Sequence, residues 1–238
     1  MIDSTPDSDD QKFFIKIGDV FAICSVIDIV VAVLLTPVPD ASVIFYGVFY
    51  GLHFMSCILY TVGLCIPAMK AGGFSLSTVI SETSFHFGVM SVIFLLCGMR
   101  PVFYIMAAVF GAVTRGVSAM VPTVPIAIRV SQYITTYRLQ SGFELAAWIE
   151  LLGRGVFGMD LTMLVLFGVY TVWIILFCYL KNESHAIIWN VLRIQLLRLT
   201  VSSMALNEAV DNAAEWLNSV AEKGKCLYAM EDTKVHFQ

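Results

Sequence analysis

Charge is what this chain has least of. Lysine and arginine number 14 and aspartate and glutamate 18, so charged residues make up 13% of 238, about half the share of a soluble domain. Together with 58% hydrophobic residues and a mean hydropathy of +0.82, this excludes an ordinary soluble domain. An integral membrane protein is expected. The chain has no lysine–arginine block, which speaks against nucleic acid and against a strong polybasic lipid site. The formal charge of −4 is a poor guide to partners, because Asp3, Asp7, Asp9, Asp10, Glu231 and Asp232 in the tails supply much of it. P-loop, nucleophile elbow, HExxH and dinucleotide fingerprint are all missing, so no enzymatic activity and no cofactor are expected. None of the six cysteines stands in a CxxC or zinc-like spacing. Cys24, Cys57, Cys65, Cys97 and Cys178 fall in apolar segments as small hydrophobes, and no metal site is expected. The acidic beginning lacks the basic n-region of a secretory signal and the arginines of a mitochondrial presequence. The first apolar segment is therefore expected to stay in place as an anchor.

What is present is a succession of apolar segments. Residues 1–12 read as a polar leader and 13–181 as one helical membrane domain. Amphipathic C-terminal helices follow over 182–223, then a polar tail over 224–238. Ile17–Thr36 is the first span, preceded by Lys12 and Lys16, which favour a cytoplasmic N-terminus, and stopped by Pro37-Val38-Pro39. Val43–Ile66 is the second, ending at Pro67, with Gly47 and Gly51 as a small-xxx-small ridge for close helix packing. Leu161–Leu180, about 20 residues without charge, is the clearest later span.

Between them lies Leu76–Val121, the stretch around which the rest is organised. Its apolar limbs, Phe85–Cys97 and Pro101–Val113, are joined by Gly98-Met99-Arg100-Pro101. Proline fits a helix start but not its middle, and glycine suits a reversal, so a helical hairpin with an arginine at its tip is predicted. Each limb of about 13 residues makes roughly 20 Å of helix, against roughly 30 Å of bilayer core. A shallow hairpin leaves Glu82, His86 and Arg115 at the interface as part of a wedge in one leaflet. Full crossing puts them inside the membrane, where they need partners. The number of crossings stays open.

Arginines and amphipathic aromatics mix over Pro122–Gly155, as suits a membrane interface. Ile126–Leu139 reads as a helix along the surface, and Glu144–Leu152 as a second. Ser184–Leu199 and Leu206–Ala221 carry apolar residues at helical spacing. Trp189, Arg193 and Arg198 are the candidate interface residues there. The expected fold is thus all-α, a polytopic helical membrane protein with a central hairpin and flanking amphipathic interfacial helices.

The candidate intramembrane polar residues are Asp28, His53, Glu82, His86 and Arg115. Glu82 and His86 stand at i,i+4, where a carboxylate can orient or charge an imidazole. Asp28 reads either as a carboxylate facing another helix or as an ion or proton site. His53 reads as a packing residue.

At Glu82–Pro101 the sequence resembles the transmembrane protein 33 family, through Glu82, His86, Phe87, Ser91, Ile93, Phe94 and Pro101. Phe45-Tyr46, Pro67, Phe74-Ser75-Leu76-Ser77 and Arg193 fall where that family carries similar residues. The family's second acid is here Thr83, and its basic run after the last span shrinks to Lys181 and later arginines. The resemblance implies a non-enzymatic protein of the endoplasmic reticulum and nuclear envelope that shapes membrane or scaffolds other membrane proteins. Its partners would be the bilayer and reticulon-type or pore components, with no nucleic acid. The alternatives are an accessory subunit of a large complex in the mitochondrial inner membrane, and a proton or small-solute transporter.

Overall fold

The structure is a computed structural model of the chain. It describes residues 9–35, 37, 39–71, 79, 82–117, 125–173, 183–216 and 218–219. Among these, regular structure is helical throughout. The expected Phe74–Ser77 motif, Pro122, Leu217, Val220, residues 1–8 of the leader, the polar tail over 224–238 and the second part of the Leu161–Leu180 span lie outside the described residues, while residues 9–12 of the leader are helical.

By contact the chain divides into two compact units, Met1–Ala147 and Trp148–Gln238. The boundary falls inside a helix. The reason is local, since Trp148 packs with residues that follow it, as described below.

In the first unit, α1 (Asp9–Leu34) and α2 (Pro39–Lys70) form a long antiparallel pair. Ser56 donates its hydroxyl to the carbonyl oxygen of Gly18 at 2.9 Å, and Lys70 pairs with Asp10 at 2.8 Å. Both are long and apolar enough to cross a membrane. α1 starts eight residues before the expected Ile17, because Asp9 and Asp10 in its first turn complement the helix dipole. α2 runs past the expected stop at Pro67 to Lys70. In the last turn a proline removes one hydrogen bond without breaking a longer helix behind it.

α3 (Thr83–Leu96) and α4 (Val102–Ala112) are the limbs of the hairpin. Gly98, at φ +62°, occupies the left-handed conformation that closes α3. Its N–H donates to Leu95 O at 3.1 Å, and the N–H of Met99 to Phe94 O at 2.9 Å, the paired bonds of a Schellman cap. Pro101 then sets the start of α4 at φ −67°. Tyr104 ties the limbs together. Its hydroxyl donates to Phe87 O and shares a bond with Ser91 Oγ, each at 2.9 Å. Its ring lies 4.7 Å from that of Phe94.

α4 passes directly into a π turn, Val113–Val117. α5 (Pro125–Thr136) packs on that turn, and α6 (Leu139–Phe157) follows, its Phe143 ring tilted against that of Phe110 at 5.2 Å.

In the second unit α7 (Leu161–Trp173) is capped by Asp160, whose Oδ1 accepts from the N–H of Thr162 at 2.9 Å. The indole of Trp148 donates to Thr171 Oγ1 at 2.8 Å and packs on Phe167 and Trp189. α8 (Glu183–Leu199) and a helix over 204–216 are joined by Arg193, which donates to Asp211 Oδ1 at 2.6 Å.

Candidate functional site

A buried polar region lies in the first unit, where the π turn meets α1 and carries Arg115 onto Tyr60 of α2. A π turn inserts an extra residue per turn and recurs at functional sites. Here it presses Gly116 onto α1: a Cβ there would stand 3.0 Å from Ile23 and 3.3 Å from the backbone oxygen of Asp19. Arg115, carried by the same turn, lays its guanidinium over the Tyr60 ring at 4.8 Å from the centroid. Its charge acts on the buried carboxylate of Asp19, and reaches His53 and Cys57 on α2. Asp19 was missed in the sequence. It sits two residues into an apolar segment, where it reads as flanking polarity, though it is only 4% exposed.

The sequence-selected residues are scattered around this region rather than gathered in it. His53 is buried, stacked parallel on Phe49 at 5.9 Å and edge-on to Phe87, with Nε2 3.7 Å from Cys57 Sγ. Asp28 is buried farther along α1, beside the backbone of Phe49. Glu82 occupies the N-cap of α3 in an extended conformation and makes no side-chain capping bond. His86, one turn into the helix, is buried against the Phe85 ring at 5.7 Å. Arg115 alone is drawn into the buried cluster. Among the described residues, Asp28 Oδ2, His53 Nδ1 and the Tyr60 hydroxyl are buried with no hydrogen-bond partner, and no three His, Cys, Asp or Glu side chains converge as metal ligands.

Among the described residues, nothing in the chain approaches the expected ridge closely. A Cβ on Gly51 would meet nothing within 4 Å, and one on Gly47 only Leu95 at 3.9 Å. In the first unit the tight approaches are made by Gly63 against Ile15 at 3.0 Å, Gly88 against Cys57 at 3.2 Å, Gly111 against Gln140 at 3.1 Å, and Gly116. These glycines are dispersed along four elements, so no GxxxG string announces them. At the C-terminal side, Arg193 is bound by Asp211 and Trp189 by Trp148, while Arg198 is exposed.

A further polar contact pins the hairpin tip. The Tyr50 hydroxyl donates to Met99 O at 3.1 Å, and Arg100 stacks over Tyr46 at 4.7 Å. The hairpin thus runs alongside α2 from Tyr46 to Tyr60, 14 residues or about 21 Å of helix.

α5 has a different character. Ile126, Val130 and Tyr133 recur at i, i+4 and i+7, which puts them on one side of the helix, and Tyr137 follows in the turn after it. All four are exposed, Ile126 at 69% and Tyr133 at 58%, while Ile134 turns inward at 4%. No protein-family model, curated protein or solved structure matches the chain.

Proposed function

We propose that this chain is a non-enzymatic integral membrane protein of the endoplasmic reticulum and nuclear envelope that shapes membrane or scaffolds other membrane proteins. The observation that carries the reading is α5. Soluble proteins rarely leave an apolar helix stripe such as Ile126, Val130 and Tyr133 exposed. Laid at the headgroup level, that stripe buries in the acyl boundary and expands one leaflet, with Arg129 beside it toward phosphate. Short limbs act in the same sense, since α3 has 14 residues and α4 with its π turn runs only over 102–117, whereas a spanning helix needs about 20. The resemblance to the transmembrane protein 33 family at Glu82–Pro101 supplies the compartment and the reticulon-type or pore-component partners. Fluorescence microscopy of the tagged chain tests the compartment: reticular and nuclear-rim signal is expected, and mitochondrial signal would replace this reading by that of a mitochondrial complex subunit.

One observation favours a second reading, proton or small-solute transport. Asp19 and Arg115 bring opposite charges into a buried site, and Asp28 Oδ2, His53 Nδ1 and the Tyr60 hydroxyl have no partner among the described residues. Burial of such groups is costly and is commonly retained for function. Reconstitution separates the two. As a scaffold the protein gives no proton or solute flux in liposomes, before or after Glu82→Gln. Specific flux abolished by Glu82→Gln, His86→Ala or Asp19→Asn would establish the transporter instead.

A further inference from the structure

In the second unit α8 and the helix over 204–216 run antiparallel, tied at two levels: Arg193 is bound by Asp211 at 2.6 Å, and Thr200 is hydrogen-bonded to Asn207 beside the turn. Between them, with Trp148 and Thr171 at its side, lies an open cavity of about 520 Å³, within the range of small-molecule sites. The chain has four tryptophans, and Trp148, Trp189 and Trp216 all line this cavity. It exists because its two long walls differ in bulk. α8 presents Leu192 and Leu196, whereas the facing helix presents Ala209, Ala213 and Ala214, which fill less of the space between the axes. From Trp189 to Thr200 along α8 is 11 residues, so the cavity is about 16 Å long. The antiparallel pairing sets Trp189, Asn190 and Trp216 at one end of it and Leu196 and Leu206 toward the other.

We infer that this cavity binds a neutral 3β-hydroxysterol, with its rings on Trp216, its hydroxyl toward Asn190 and its branched tail between Leu196 and Leu206. Charge selects a neutral ligand. Among the described residues Arg193 is the one charged residue of the lining, and its guanidinium is already held by Asp211, so a ligand charge would enter an apolar cavity without a partner. Shape selects a flat one. Ala209, Ala213 and Trp216 recur at i, i+4 and i+7 on one side of their helix, and together they make a wall of methyls and an indole with no branched side chain. A rigid fused ring covers such a wall at little cost in entropy, whereas a flexible acyl chain must be ordered to do so. The order of the lining also matches: amide, aromatic, aliphatic, against hydroxyl, rings, tail. The aromatic end is preformed, since the Trp148 indole donates to Thr171 Oγ1 at 2.8 Å and packs edge-on to Trp189 at 5.7 Å. Trp216 is 60% exposed, which leaves ring surface for the ligand. The site lies wholly in the second unit and requires neither α5 nor the depth of α1 and α2, so it goes beyond the membrane-shaping reading.

Saturable binding of tritium-labelled cholesterol to the purified full chain in dodecylmaltoside micelles tests the site. Unlabelled cholesterol is expected to displace the label at least tenfold better than cholesterol sulfate, which adds a charge, or oleyl alcohol, which lacks the rings. Trp216→Ala should weaken binding about tenfold, and Trp216→Phe should restore most of it. Ala213→Phe should fill the cavity and abolish binding. Both positions are exposed, so the fold is spared, and helix content by circular dichroism checks this; the displacement series needs the wild type alone. No saturable binding, equal displacement by the sulfate or by oleyl alcohol, or affinity unchanged in both Trp216→Ala and Ala213→Phe would overturn the inference. A chain that binds no sterol yet deforms vesicles loses only this site, whereas one that binds sterol and leaves vesicles unchanged loses only the shaping reading.

Discussion

The hydroxyl of Tyr104 donates to the carbonyl oxygen of Phe87 at 2.9 Å across the two limbs of the hairpin. Because Phe87 lies within α3, this bond holds α4 against the body of its partner limb and not merely near the turn. Ser91 Oγ, also at 2.9 Å, completes the arrangement, and Tyr104 is fully buried.

Tyr104→Phe keeps the ring and removes that hydroxyl, leaving Ser91 with one partner fewer. A loss of about 1–2 kcal/mol is expected, read as a lower midpoint in thermal unfolding of the detergent-solubilised chain. Tyr104→Ala should cost more, about 3–5 kcal/mol, because a cavity is added. Equal midpoints for Tyr104→Phe and the wild type would show that the hairpin is held by other contacts.

Gly98 gives a test of the turn alone. A Cβ there would meet nothing within 4 Å, so any cost of substitution comes from the backbone at φ +62°. Gly98→Ala is expected to destabilise by about 1–2 kcal/mol, and Gly98→Asn by less, since asparagine tolerates the left-handed region. Asparagine as costly as alanine would contradict the Schellman closure.

The two kinds of glycine should respond in opposite directions. Gly116→Ala puts a methyl against Ile23 and the backbone of Asp19, and should destabilise by about 1–3 kcal/mol. Gly51→Ala, in open space within α2, should be neutral or stabilise by up to about 1 kcal/mol through helix propensity. Chemical unfolding of both variants checks the pair; a Gly51→Ala chain that unfolds more readily would restore the Gly47–Gly51 face as a packing surface.

The C-terminal ion pair should matter little to stability. Arg193 and Asp211 are both close to half exposed, so water screens them, and Arg193→Ala should cost less than about 1 kcal/mol. A loss well above that would mean the pair is buried in the working protein.

How far the sequence could be read depended on whether the signal was local. The hairpin was legible because Gly98 and Pro101 act on their own backbone, one closing α3 and the other opening α4. The helix expected over Ile126–Leu139 was legible in part, since it ends at Thr136 and Leu139 already opens α6. The ends of α1 and α2 were placed too tightly, since hydropathy stops at the first charges while Asp9, Asp10 and Lys70 continue the helices. What decides the buried polar site is tertiary. Asp19 and Arg115 are separated by 95 other residues, and only the π turn shows that they belong together. Glu82 and His86 illustrate the converse: correct helical spacing drew attention to them, but Glu82 stands outside the helix as its N-cap.

The central claim, that this chain bends membrane, is tested most directly by its effect on vesicle shape. The full chain and a Val130→Asp, Tyr133→Asp variant would be reconstituted at equal density into large unilamellar vesicles, and vesicle diameter measured by cryo-electron microscopy. Both changes lie on the exposed stripe, so the fold is spared while insertion of α5 into the headgroup layer becomes unfavourable. Narrow tubules or smaller vesicles are expected with the wild type and undeformed vesicles with the variant. Vesicles that keep their diameter with the wild type, or deform equally with both, would contradict the account.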